Sequence, residues 1–139
     1  MKYLIDTNII SELYRKKPVI DVINWFNSVD AYYLYISCIT IGELKAGALK
    51  KAKTDKIASH SLNKWINILC QNYKDQIVNI NQETCEIWAD LLSIDSTNAV
   101  DGLIAAQARQ GNMSLVTRNT KHFNRFNIDI IKAVQHMIK

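Results

Sequence analysis

An α/β fold with helices on both faces of a parallel sheet is predicted by three features of this 139-residue sequence. Short apolar or β-branched runs alternate with longer stretches of helical periodicity, as in strands joined by crossover helices. Gly and Pro number only four and one, so little interrupts those stretches. Apolar residues make up 48% of the chain, enough for one compact domain over residues 1–139 with a substantial core.

The elements follow in order. KYLI (2–5) is a buried strand, Asp6–Asn8 a turn, and a short helix runs to about Lys17. Pro18 opens a second helix, with Val19, Val22, Ile23, Phe26 and Val29 at helical spacing. Tyr32 to Ser37 is aromatic and β-branched, a strand pattern. Ile39–Leu49 is helical, with Ile41, Leu44 and Ala48 on one face. Lys56–Asn72 is helical too, striped by Ala58, Leu62, Trp65, Ile66, Leu69 and Tyr73. Gln76–Ile80 is a third strand. The helix over Gln82–Ile94 is expected to turn Cys85, Trp88 and Leu92 inward. Asn98 is placed to cap a helix ending at Gly111. Met113–Thr117 is a fourth strand and Ile128–Ile131 a fifth, giving a parallel sheet of four to five strands.

Composition narrows the function. MKYLIDTNII is broken too early by Asp6 to act as a signal peptide, and no apolar run approaches membrane-spanning length. A cytoplasmic protein is expected, with Cys38, Cys70 and Cys85 as reduced, buried thiols. Scattered His60, His122 and His136 offer no zinc-ligand spacing. Charge is uneven: Asp75 to Asp101 holds six acids and no base, whereas six bases and one acid follow Gly102. Basic surface beside an acidic pocket suits a polyanion brought to a cation. The lysines from Lys45 to Lys56 fit a solvated helix face better.

Ligands of parallel sheets bind beyond the carboxyl ends of strands, where Asp6 and the Thr117–Asn119 turn are predicted to lie. Asp6 alone reads equally as a turn or cap residue, Glu43 as a solvent-facing acid, and Asp101 as a first-turn acid. Glu12, one turn beyond Asn8, could edge the pocket or meet a basic residue of a partner, but such a glutamate more often faces water. Gathered, three carboxylates could hold a hard divalent cation, which activates water and neutralises charge during phosphodiester displacement. Spacing alone does not bring them together.

The segments LIDTNIISEL (4–13), SCITIGELKAG (37–47), AVDGLIAAQA (99–108) and LVTRNTKHF (115–123) carry a resemblance. Taken together they resemble the PIN-domain ribonucleases, most closely the toxin half of VapBC toxin–antitoxin pairs (the VapC family). The resemblance implies a single PIN domain, an α/β/α sandwich that cuts RNA as an endoribonuclease and thereby inhibits translation. It implies Asp6, Glu43 and Asp101 as catalytic residues and as ligands of Mg2+, with Mn2+ as a substitute. It implies Asn8, Thr117 and Asn119 as supporting polar groups, a VapB-type antitoxin as partner, and a homodimer. Arg118, Lys121 and Arg125 border the expected pocket and are candidate contacts to RNA phosphate.

One position departs from the family pattern. His122 stands where LVTRNTKHF commonly carries a further acid, and imidazole is a poor ligand for Mg2+. That departure motivates a second reading, a catalytically impaired PIN domain that binds RNA or antitoxin without cutting. A phosphoacceptor receiver domain is excluded, because QIVNIN (76–81) lacks the acceptor Asp such a fold needs.

Overall fold

The computed structural model describes residues 1–126 and 128–132. His136 and Lys139, counted above, lie outside the described residues. Five parallel strands form one sheet in the order β3-β2-β1-β4-β5. They are β1 (Tyr3–Ile5), β2 (Leu34–Ser37), β3 (Ile77–Val78), β4 (Ser114–Thr117) and β5 (Ile130–Lys132). The helices are α1 (Thr7–Glu12), α2 (Ile20–Ser28), α3 (Cys38–Ala52), α4 (Lys56–Asn72), α5 (Gln82–Ile94), α6 (Ala99–Gln110) and α7 (Thr120–Phe123). No helix among the described residues is long and apolar enough to cross a membrane.

Successive strand side chains point to opposite faces, and both faces are covered. Ile5, Leu34, Ile36 and Val116 pack with Ile9, Ile10, Val22, Trp25, Leu44 and Ile66 from α1 to α4. Leu4 and Leu115 face the other way, against Leu91, Ile104, Ala105, Phe123 and Phe126. Gln107, fully buried on α6, ties the sheet ends together. Its Oε1 accepts from Ser37 Oγ at 2.6 Å, and its Nε2 donates to the Val78 carbonyl at 3.0 Å.

Four local readings are corrected. The first helix stops at Glu12 rather than near Lys17. Glu12 turns inward and accepts the Val19 N–H at 2.8 Å, drawing the chain into a turn around Pro18. Tyr32 and Tyr33 lie in a 3-10 turn because Asp30 accepts the Tyr32 N–H, so β2 begins only at Leu34. On α5 the buried side chains are Thr84 and Leu91, and Cys85 is exposed. Thr84 closes a capping box with Asn81 and donates its hydroxyl to Gln110, which rotates the helix relative to its apolar stripe. The three cysteines are free, but Cys38 and Cys70 are only partly buried.

The strand order reverses at β1, with β2 and β3 to one side and β4 and β5 to the other. The crevice between the carboxyl ends of β1 and β4 is therefore the topological binding position of this sheet. Asp6 follows β1 and Thr117 ends β4, and the Asp6 N–H bonds the Val116 carbonyl at 2.9 Å across the join.

Candidate active site

Asp6 is 7% exposed and caps α1. Its Oδ1 accepts from the Thr7 N–H at 2.8 Å, and its Oδ2 from Asn8 Nδ2 at 2.9 Å and the Thr117 hydroxyl at 2.8 Å. Thr117 Oγ1 in turn accepts the Asn119 N–H at 3.0 Å, and Asn8 Oδ1 accepts the Arg118 N–H at 3.3 Å. Asn8 and Thr117 thus bond the β1 carboxylate through their side chains. Asn119, whose side chain is exposed, takes part through its backbone.

Burial pushes the Asp6 carboxyl up. The Thr117 and Thr7 bonds pull it down, and the negative charges of Asp101 and Glu43 push it up again, leaving it raised. Asp101, on the first turn of α6, is raised too, by burial against the pull of His122 and Arg125, with Glu43 adding to the rise. Glu43, on the exposed side of α3, accepts the Thr7 hydroxyl at 2.6 Å. The three acids predicted from sequence therefore lie close enough to sense one another's charge. Among the described residues, Asp6 forms no ion pair, and no cluster of three or more His, Cys, Asp or Glu closes as if around an ion. Carboxylates without a cation repel, so an open arrangement is the expected one. An all-oxygen donor set around a buried, cation-poor carboxylate fits a hard divalent cation.

The remaining candidates divide. His122 places Nδ1 3.5 Å from Asp101 Oδ2, so the residue at the departing position does face the acids. Arg125 lies with Nε 3.0 Å from Asp95 Oδ2, its guanidinium 4.5 Å above the Phe126 ring. Asp95 is itself held below the ordinary carboxylate range by the Thr97 hydroxyl and N–H. Arg118 puts Nη1 2.9 Å from Glu12 Oε2, an oxygen shared with Arg15 at 3.2 Å. Lys121 is exposed and forms no ion pair among the described residues. Two depressions border this end of the sheet, one of about 270 Å³ lined by Thr97–Asp101 and one of about 180 Å³ lined by Arg118–His122.

The expectation for Glu12 is overturned, because its side chain is 2% exposed rather than facing water. Thr7 and Thr40 were not anticipated as site residues: Thr40 Oγ1 lies 2.9 Å from Thr7 Oγ1. Their one local signal is position. Thr7 stands between Asp6 and Asn8, and Thr40 precedes Glu43 by a helical turn.

The PIN domain family matches residues 3–128. The toxin FitB of Neisseria gonorrhoeae is 32% identical over 127 residues, covering 86% of this chain and 89% of that protein. The VapC ribonuclease Y4jK of Sinorhizobium fredii is 29% identical over 133 residues, covering 92% and 94%. The structure of FitAB bound to an IR36 DNA fragment superposes with a TM-score of 0.86 at 28% identity, covering 95% of each chain.

Proposed function

The chain belongs to the PIN domain family, and we propose that it cuts RNA with a divalent cation held by Asp6, Glu43 and Asp101. The protein is a ribonuclease toxin of a toxin–antitoxin pair, like the ribonuclease and toxin relatives it matches along most of its length. A VapB-type antitoxin is its partner, as the FitAB assembly of its structural neighbour supports, and it works as an oligomer, a homodimer in our reading. Its reaction is hydrolysis of phosphodiester bonds in cytoplasmic RNA, and its consequence is inhibited translation.

The observation that carries the site is the cation deficit at Asp6. A carboxyl that is 7% exposed, raised chiefly by burial and further by two neighbouring acids, and free of ion pairs among the described residues has room for one more positive charge. Bound there, Mg2+ or Mn2+ supplies Lewis acidity, lowering the pKa of a water and neutralising charge on the phosphate. The chain's own groups do the rest. Asn8, Thr117 and the Asn119 N–H fix the orientation of Asp6. Lys121 and Arg118 draw the RNA backbone to the crevice, with Arg125 behind them, anchored to Asp95. In the net step a water oxygen bonds to phosphorus, the P–O ester bond breaks, and the leaving oxygen takes a proton.

A PIN domain that only binds is not favoured, since all three acids are present and charge-coupled despite His122. Cleavage of a structured RNA by the purified chain should require Mg2+ or Mn2+ and stop with EDTA. Asp6→Ala and Asp101→Ala should each slow it by at least about 100-fold. Unchanged rates in both folded variants would remove these residues from the site.

A further inference from the structure

The face of α3 that carries Glu43 offers it little support. A Cβ at Gly47, one turn along the same side of the helix, would meet nothing within 4 Å, so no neighbour crowds that position. Its side chain has three rotatable bonds to order. Asp6 and Asp101 both feel its negative charge and repel it in turn. Against these effects stands one side-chain hydrogen bond among the described residues, from the Thr7 hydroxyl at 2.6 Å.

The proton order of that bond is fixed by what lies behind it. A hydroxyl has one proton, and a carboxylate only accepts. Thr7 gives its proton to Glu43, so the 2.9 Å contact between the threonines must be donated by Thr40. Thr40 is fully buried, on the turn of α3 preceding Glu43. The chain of donors runs Thr40 to Thr7 to Glu43, each bond polarising the next. It engages only Oε1 of the glutamate and leaves Oε2 without a side-chain partner among the described residues.

We propose that Thr7 is a positioning residue, its hydroxyl, backed by Thr40, holding Glu43 beside Asp6 with one oxygen turned to a divalent cation. This rests on the metal-dependent reading of the site given above. Partners that orient a ligating carboxylate typically contribute about 10- to 100-fold to metal affinity. Thr7 is also the first residue of α1, so a purely structural role must be separated from this one.

Isosteric and conservative variants of the full chain make that separation. Thr7→Val keeps the shape of the side chain and removes its donor, whereas Thr7→Ser keeps the donor. Mn2+ affinity, read from the electron paramagnetic resonance signal of the free ion, should fall about tenfold in Thr7→Val and return to near the wild-type value in Thr7→Ser. Cleavage by Thr7→Val should need correspondingly more Mn2+ for half-maximal rate, with the rate at saturating Mn2+ close to wild type. Thr40→Val, which leaves α1 untouched, should weaken Mn2+ binding by a smaller factor, and its melting temperature reports whether the core tolerates it. Wild-type or tighter Mn2+ binding by Thr7→Val overturns the proposal, as does a Thr7→Ser variant no better than Thr7→Val. A wild-type chain that binds no Mn2+ overturns the metal reading itself, a failure visible before any threonine is changed.

Discussion

Helix α1 begins and ends on a buried carboxylate, and the two are treated in opposite ways. Asp6, at its start, is surrounded by neutral donors and two further acids, and its carboxyl is raised. Glu12, at its last residue, meets Arg15, Arg118 and the Val19 N–H. Burial pushes Glu12 up as well, but the Val19 bond and the two arginines outweigh it and leave the carboxyl lowered. One acid has its counter-charges built in, and the other is left short of them. Within six residues, the contrast separates an acid that serves the fold from one left without a counter-charge among the described residues.

The largest expected effect is on Glu12. Glu12→Gln removes the charge that Arg15 and Arg118 meet and, because both guanidinium groups remain accessible to water, should lower unfolding free energy in urea by about 1 kcal/mol. A loss below half of that would show that the pair contributes little and weaken the contrast. Acidity sharpens it next, because the two ends of α1 respond with opposite sign. Asp6 and Asp101 are raised in the fold, so without metal their strain is relieved as pH falls through their raised values towards the ordinary carboxylate range. Glu12 is lowered, so its stabilisation holds above the ordinary value and is lost as pH falls through its lowered one. Urea midpoints measured in EDTA should therefore hold or rise on mild acidification and then drop. The final drop should shrink in Glu12→Gln, and a monotonic fall from neutral pH would contradict the assignment.

Smaller effects test what surrounds the acids. Lys121→Ala should weaken RNA binding and reduce the slope of log affinity against log salt by about 1, without lowering stability. Arg118→Ala should cost stability as well, because it strips Glu12 of one partner. A salt-independent loss in Lys121→Ala would argue against a phosphate contact. The mildest change is expected of His122→Asp, which puts an acid at the position whose imidazole now lies 3.5 Å from Asp101. It should leave the maximal cleavage rate unchanged and lower the Mg2+ needed for half-maximal rate by about threefold. A large loss of rate would give the imidazole a role of its own.

The order of strands and helices was legible because apolar runs and helical stripes are local. Asp6 and Asp101 were legible as ends of elements and as members of matching segments. What escaped was set by partners distant in sequence. Glu12 looked solvent-facing because the turn that brings the Val19 N–H to it carries no periodic signal, and Arg118 joins it from 106 residues away. The phase of α5 depends on Thr84 meeting Gln110. Periodicity left Glu43 on the surface, where it indeed lies, and gave no hint that Thr7, 36 positions earlier, reaches it. Asn119 supports Thr117 through its backbone N–H, a contact that no side-chain pattern announces.

The bond from Thr117 to Asp6 spans 111 positions of the chain and joins the first strand to the fourth. Its consequence lies in the timing of synthesis. At a ribosomal rate of about 10 residues per second, roughly ten seconds separate the appearance of Asp6 from that of Thr117. Throughout that interval the nascent chain has no β4 beside β1 and hence no crevice. The crevice, and the support Thr117 gives Asp6, can therefore form only after residue 117 has been made.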